Sequence, residues 1–125
     1  MNYKVTKSID RNNCPLTYSL NLIGGKWRLP ILWALWKADT LRYNELKAKV
    51  EGITNMMLSQ TLKEMERHGM ILRKQYIEMP PRVEYSLTDS GKQLIPSLES
   101  LAQWGKQLQN NENNKEQVNI EEELL

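Results

Sequence analysis

The sequence predicts a mainly α-helical fold carrying one small β-hairpin. Three observations predict it. Apolar residues recur at helical spacing through most of residues 15–68 and again over 88–108. The period falls to two only where Val83, Tyr85 and Leu87 alternate with Glu84 and Ser86. Pro80 and Pro81 separate that run from a β-rich stretch at 71–77, which makes a stiff hairpin tip.

The elements follow in order. Residues 1–13 are polar with three basic side chains, Lys4, Lys7 and Arg11, and read as an arm. Cys14-Pro15 opens the first helix, because proline is tolerated at the first helical position and leaves Cys14 at the N-cap. Leu16, Leu20 and Ile23 form its apolar stripe, and Gly24-Gly25 ends it. Residues 26–37 are apolar on most sides, as in a buried core helix. A short helix over 44–50 places Leu46 and Val50 one turn apart. Glu51-Gly52 makes a turn, and a helix over 54–68 begins with Thr54 as N-cap and an Ile53–Leu58 staple. Gly69 ends that helix. After the hairpin, Thr88-Asp89 caps the last helical region. There Leu94, Leu98, Leu101 and Leu108 follow the spacing of a coiled-coil seam, and Pro96 is expected to kink or split the helix.

Charge is unevenly distributed. Residues 1–109 hold 16 Lys/Arg against 10 Asp/Glu, whereas residues 110–125 hold one Lys and five Glu. We expect a basic arm (1–13), a single folded domain (14–109) and an acidic, flexible tail (110–125). A basic body suits a polyanionic partner, although ordinary solubilising charge accounts for the same numbers. A domain of this size is often completed by dimerisation. One cysteine excludes a disulfide within the chain and a cysteine zinc cluster. No apolar run approaches the ~20 residues of a membrane span. With no secretory h-region at the N-terminus, the cytoplasm is the default location.

Helix, turn, helix, strand, proline tip, strand is the order of a winged helix-turn-helix. The second helix of such a pair enters the DNA major groove while the first crosses the backbone. The core side of the 54–68 helix is Leu58, Leu62 and Met65. Its other side carries Thr54, Asn55, Met56, Ser59, Gln60 and Lys63. Asn and Gln can pair with adenine edges, and the Thr, Ser and Met side chains can meet bases or thymine methyls. Lys63 and Arg42 suit phosphates, and Arg82 at the hairpin would reach the adjacent groove or backbone. The bland alternative is a solvated helix face on a protein-interaction module without strong DNA affinity.

With these residues in place, the chain resembles the HxlR family of bacterial winged helix regulators, relatives of the MarR group. The matching stretches are Cys14-Pro15, IGGKW at 23–27, LRYNELK at 41–47, GITNMMLSQTLKEME at 52–66 and PPRVEYSLTDSG at 80–91. The resemblance covers about residues 14–107. It implies a homodimeric regulator on a pseudo-palindromic double-stranded operator. The first and last helices would form the dimer interface, which places Leu16, Leu20, Leu94, Leu98, Leu101 and Trp104 there. One departure is Met56, where the family usually carries Lys or Arg.

Cys14 is the remaining candidate. A thiol at a helix N-terminus has a lowered pKa and suits reaction with oxidants or electrophiles. The alternative is a small buried hydrophobe. The resemblance implies a sensor, since several HxlR-type regulators use the cysteine of this Cys-Pro pair. Trp27, Trp33 and Trp36 read as core rather than as a ligand pocket, and no residue pattern names a small-molecule inducer. No Gly-rich phosphate loop, metal-ligand cluster or paired carboxylates point to an enzyme, a cofactor or a metal.

Overall fold

A computed structural model describes residues 13–123, with side chains for residues 13–116. Apart from Asn13, the expected basic arm lies outside the described residues. The elements run α1 (Pro15–Ile23), α2 (Arg28–Ala38), β1 (Thr40–Arg42), α3 (Tyr43–Lys49), α4 (Asn55–Arg67), β2 (Ile71–Tyr76), β3 (Arg82–Leu87) and α5 (Asp89–Glu123). This is the mainly helical, winged helix-turn-helix architecture expected.

The wing contains a strand more than the sequence suggested. β1 joins the hairpin to give an antiparallel sheet in the order β1-β3-β2. Leu41 faces Tyr85, and Ile71 faces Leu87 across the other pair. All four side chains are buried. Three residues are too few to show a period of two, so β1 was not readable as a strand.

Local chemistry explains where α4 starts and stops. Thr54 Oγ1 accepts from the Met57 N–H at 3.1 Å, and the staple residues Ile53 and Leu58 are both buried. At the other end the Met70 N–H reaches the Met65 carbonyl and the Gly69 N–H the Glu66 carbonyl, each at 3.0 Å. This paired closure needs a left-handed residue, and Gly69 supplies it at φ 75°.

The wing is closed at its base. Thr88 donates its N–H to the Met70 carbonyl at 3.1 Å and its hydroxyl to the Gly69 carbonyl at 2.6 Å. The same hydroxyl accepts from the Gly91 N–H at 3.0 Å, the cap expected of Thr88. Gly91 sits so close to the Met70 carbonyl that a β-carbon would collide with it.

Two expectations for the C-terminal helix are corrected. Pro96 does not split it; α5 runs unbroken through Pro96. Pro96 and Lys92 are both exposed residues. The helix also continues through the acidic stretch to Glu123 instead of fraying at 110. The chain divides into a compact unit ending at Gly91 and another beginning at Lys92, rather than the single 14–109 domain expected.

Candidate nucleic-acid interface

Helical geometry sorts the residues of α4. Leu58, Thr61, Leu62 and Met65 are buried. The opposite stripe, at intervals of four, three and four, is Met56, Gln60, Lys63 and Arg67, all exposed. Met56, at 77% exposure, stands near the middle of the outward face. Arg67 belongs to the same stripe, one turn beyond the expected contact Lys63. Asn55 and Ser59 lie on the flank that faces α3 rather than on the outward stripe.

That flank is held by a residue the sequence reading overlooked. The Tyr43 hydroxyl, from the first position of α3, donates to the Asn55 carbonyl at 2.9 Å and lies 3.0 Å from Ser59 Oγ. Asn55 Oδ1 is 3.3 Å away. With the single phenolic proton on the Asn55 carbonyl, the Ser59 hydroxyl donates to Tyr43. Two expected base readers are therefore preset by one tyrosine.

The other flank is held by an ion pair. Arg28 on α2 reaches Glu64 Oε2 at 2.7 Å and also donates to the Leu22 carbonyl at 2.6 Å. One guanidinium thus ties α1, α2 and α4 together. The Arg28 hydrogen bond, ahead of a weaker one from Gln60, holds the Glu64 carboxyl below its ordinary pKa. The Gln60 amide approaches Glu64 Oε1 at 3.4 Å, the long limit of a hydrogen bond. No local pattern announces a pair 36 residues apart.

Arg42 and Arg82 border one open groove with Asn44 and Pro81. Their situations differ. Arg42 is exposed at the N-cap of α3, where its N–H donates to Glu45 Oε1 at 2.9 Å. Arg82 is drawn into the wing. Its guanidinium lies 3.4 Å from Glu78 Oε1, 3.3 Å from Glu84 Oε1 and 4.0 Å from the centre of the Tyr76 ring. The Nε contact with Glu84 is an ion-pair distance without hydrogen-bond alignment. Two carboxylates already answer this cation, which corrects the expectation of an outstretched Arg82. What the wing tip exposes instead is Ile77 and Met79.

Cys14 is the N-cap of α1 and half-buried, with no hydrogen bond from its side chain closing the helix. The Thr17 N–H, then its hydroxyl, then the Leu16 N–H favour the thiolate and lower the pKa from its ordinary 9.0. On α1, Leu16 and Leu20 are exposed; on α5, so are Leu101, Trp104 and Leu108. Leu94 is half-buried. Leu98 is 7% exposed in the single chain. The tryptophans also depart from the expected core. Trp27 and Trp33 are half-buried under the ammonium groups of Lys26 and Lys37, and Trp36 is exposed. Among the described residues there is no metal-binding group of acidic, His or Cys side chains. No described helix is long and apolar enough to cross a membrane.

The geometry has close counterparts among known proteins. The model of the HxlR-like helix-turn-helix family matches residues 22–113. The chain belongs to that family. An uncharacterised helix-turn-helix transcriptional regulator of Halalkalibacterium halodurans is 47% identical over 97 residues, covering 78% of this chain and 86% of the relative. The crystal structure of a MarR-family regulator from Porphyromonas gingivalis superposes with a TM-score of 0.72 at 38% identity, covering 80% of this chain and 97% of that one. The redox regulator HypR in its oxidised form is similar too, with a TM-score of 0.69, 36% identity and coverage of 75% and 96%. This HxlR-like chain is accordingly a transcriptional regulator of the HxlR and MarR type.

Proposed function

We propose that this HxlR-like regulator binds a pseudo-palindromic DNA operator as a homodimer, with α4 in the major groove. The observation that carries the proposal is the outward stripe of α4. Met56, Gln60, Lys63 and Arg67 contribute nothing to the buried core, and Tyr43 on one flank and Arg28 on the other fix the helix that bears them. Gln60 and Asn55 supply amides for base edges, Thr54 and Ser59 hydroxyls, and Met56 an apolar contact for a thymine methyl. Arg42, Lys63 and Arg67 answer phosphates. Arg82 braces the wing.

The dimer would pair the exposed apolar residues Leu16 and Leu20 of α1 and Leu101 and Trp104 of α5 with their equals in a second copy. Two α4 helices would then meet successive major grooves about 34 Å apart. Cys14 is proposed as the signal input. Its thiolate is favoured by the start of α1, and the similar HypR is a redox regulator. An oxidant would take two electrons from two thiols, whose protons leave as the S–S bond forms. The second thiol comes from the partner copy's cysteine or from a small thiol.

A salt titration tests the DNA reading. Affinity for fragments that co-purify with the protein is expected to fall steeply as salt rises, because each neutralised phosphate releases counterions. Binding without a salt slope would mark the fold as a protein-interaction module instead.

A further inference from the structure

A second groove, of about 430 Å³, opens between α4 and the sheet and is bordered by Lys63, Glu66, Arg73, Tyr43, Leu62 and Tyr85. We infer that Arg73 and Lys63 form a seat in this groove for one backbone phosphate of bound DNA. The inference rests on the DNA reading above and deepens it, by assigning a contact to a residue that neither the motif pattern nor the α4 stripe picked out.

Position comes first. Arg73 lies on β2, the edge strand, directly across from Tyr85 on β3. Cross-strand partners share a face, so Arg73 rises from the side of the sheet on which Tyr85 is buried. It is nevertheless exposed, because it stands at the sheet's open edge beside α4. Lys63 approaches the same groove from α4. One cation is thus carried by the proposed recognition helix and one by the wing, on either side of a channel that opens to solvent.

Charge comes second. Arg28 is paired with Glu64, and Arg82 with Glu78 and Glu84. Lys26, Lys37 and Lys74 lie over aromatic rings. Among the described residues neither Lys63 nor Arg73 has an ion pair within 4.0 Å, although Glu66 borders their groove. The groove therefore holds two cations against one carboxylate. Leu62 and Tyr85, both buried, also line it, and neither adds a charge. The Tyr43 and Ser59 hydroxyls at its rim are engaged with each other and with Asn55. The donors left for a phosphodiester are the ammonium of Lys63 and the planar guanidinium of Arg73, which suits phosphate oxygens two at a time. Glu66 would oppose the same ligand.

The seat is sequence-independent, so a short random-sequence duplex is a sufficient probe. Its affinity is measured over a range of salt concentrations for the full chain and for R73Q, R73K and E66Q. The slope of log K against log salt is expected to fall in R73Q, by at most about 0.9, one phosphate's worth, and to be restored in R73K. In E66Q, affinity is expected to rise at low salt. A wild-type slope in R73Q, or a loss that R73K does not restore, overturns the phosphate seat while leaving the DNA reading intact. A wild-type protein with no salt slope overturns the DNA reading itself, and the seat with it.

Discussion

The Tyr43 hydroxyl lies 3.0 Å from the Ser59 hydroxyl, joining the start of α3 to the first turns of α4. Removing that oxygen at nearly unchanged side-chain volume breaks both this bond and the one to the Asn55 carbonyl. Tyr43→Phe is expected to cost about 1–3 kcal/mol, two neutral hydrogen bonds at the usual worth of each. The urea midpoint reads the loss. Discrimination between operator and random duplex should fall as well, because Asn55 and Ser59 lose their common anchor.

Arg28 and Glu64 predict a pH effect on stability. The Glu64 carboxyl is held below its ordinary 4.5, so the folded protein binds that proton less readily than the unfolded chain. The stabilisation is therefore complete above 4.5 and is lost as pH falls through the lower folded value. Glu64→Gln should lower the urea midpoint at neutral pH and flatten the acid-side decline. An acid decline equally steep in both proteins would show that the pair contributes nothing there.

Arg82 should behave unlike Lys63. Its charge is met by Glu78 and Glu84, so Arg82→Ala should leave the salt slope of DNA binding near the wild-type value. Lys63→Ala should reduce that slope by no more than about 0.9, since Lys63 and Arg73 share one phosphate. Faster amide exchange in β2 and β3 is the expected sign that Arg82 instead holds the hairpin together.

Cys14 should report oxidants through affinity. Diamide treatment is expected to change operator binding of the wild type and to leave Cys14→Ser unaffected. Non-reducing electrophoresis or intact mass distinguishes a linked pair of chains from a mixed disulfide with a small thiol. Equal responses in wild type and variant would remove Cys14 from the signal path.

Trp104→Glu tests the dimer. Trp104 is 60% exposed in the single chain, so the substitution leaves the fold of that chain little changed. Sedimentation should show wild-type dimers and variant monomers at the same concentration.

Much of this fold could be read in advance, and its gaps share a cause. Caps, turns and periods are local, so Thr54, Gly69, Thr88 and the proline tip announced α4 and the wing. Residues whose role depends on distant partners did not announce themselves. Tyr43 looked like a link into α3, Arg28 like a surface cation, and Arg73 like one of many strand residues. Arg82 was read as free because its carboxylates, two and four residues away, act only once the hairpin bends them around it. Pro96 misled in the opposite direction. A proline in the helix interior was expected to kink or split α5, but the helix runs on through it.

The closure at the base of the wing has a mechanical consequence. Thr88 grips both Gly69 and Met70, and the first turn of α5 lies against the Met70 carbonyl at Gly91 with no room for even a methyl group. Even alanine at Gly91 would push the chain off Met70, so the clasp at the foot of the wing is expected to loosen with the smallest possible side chain there.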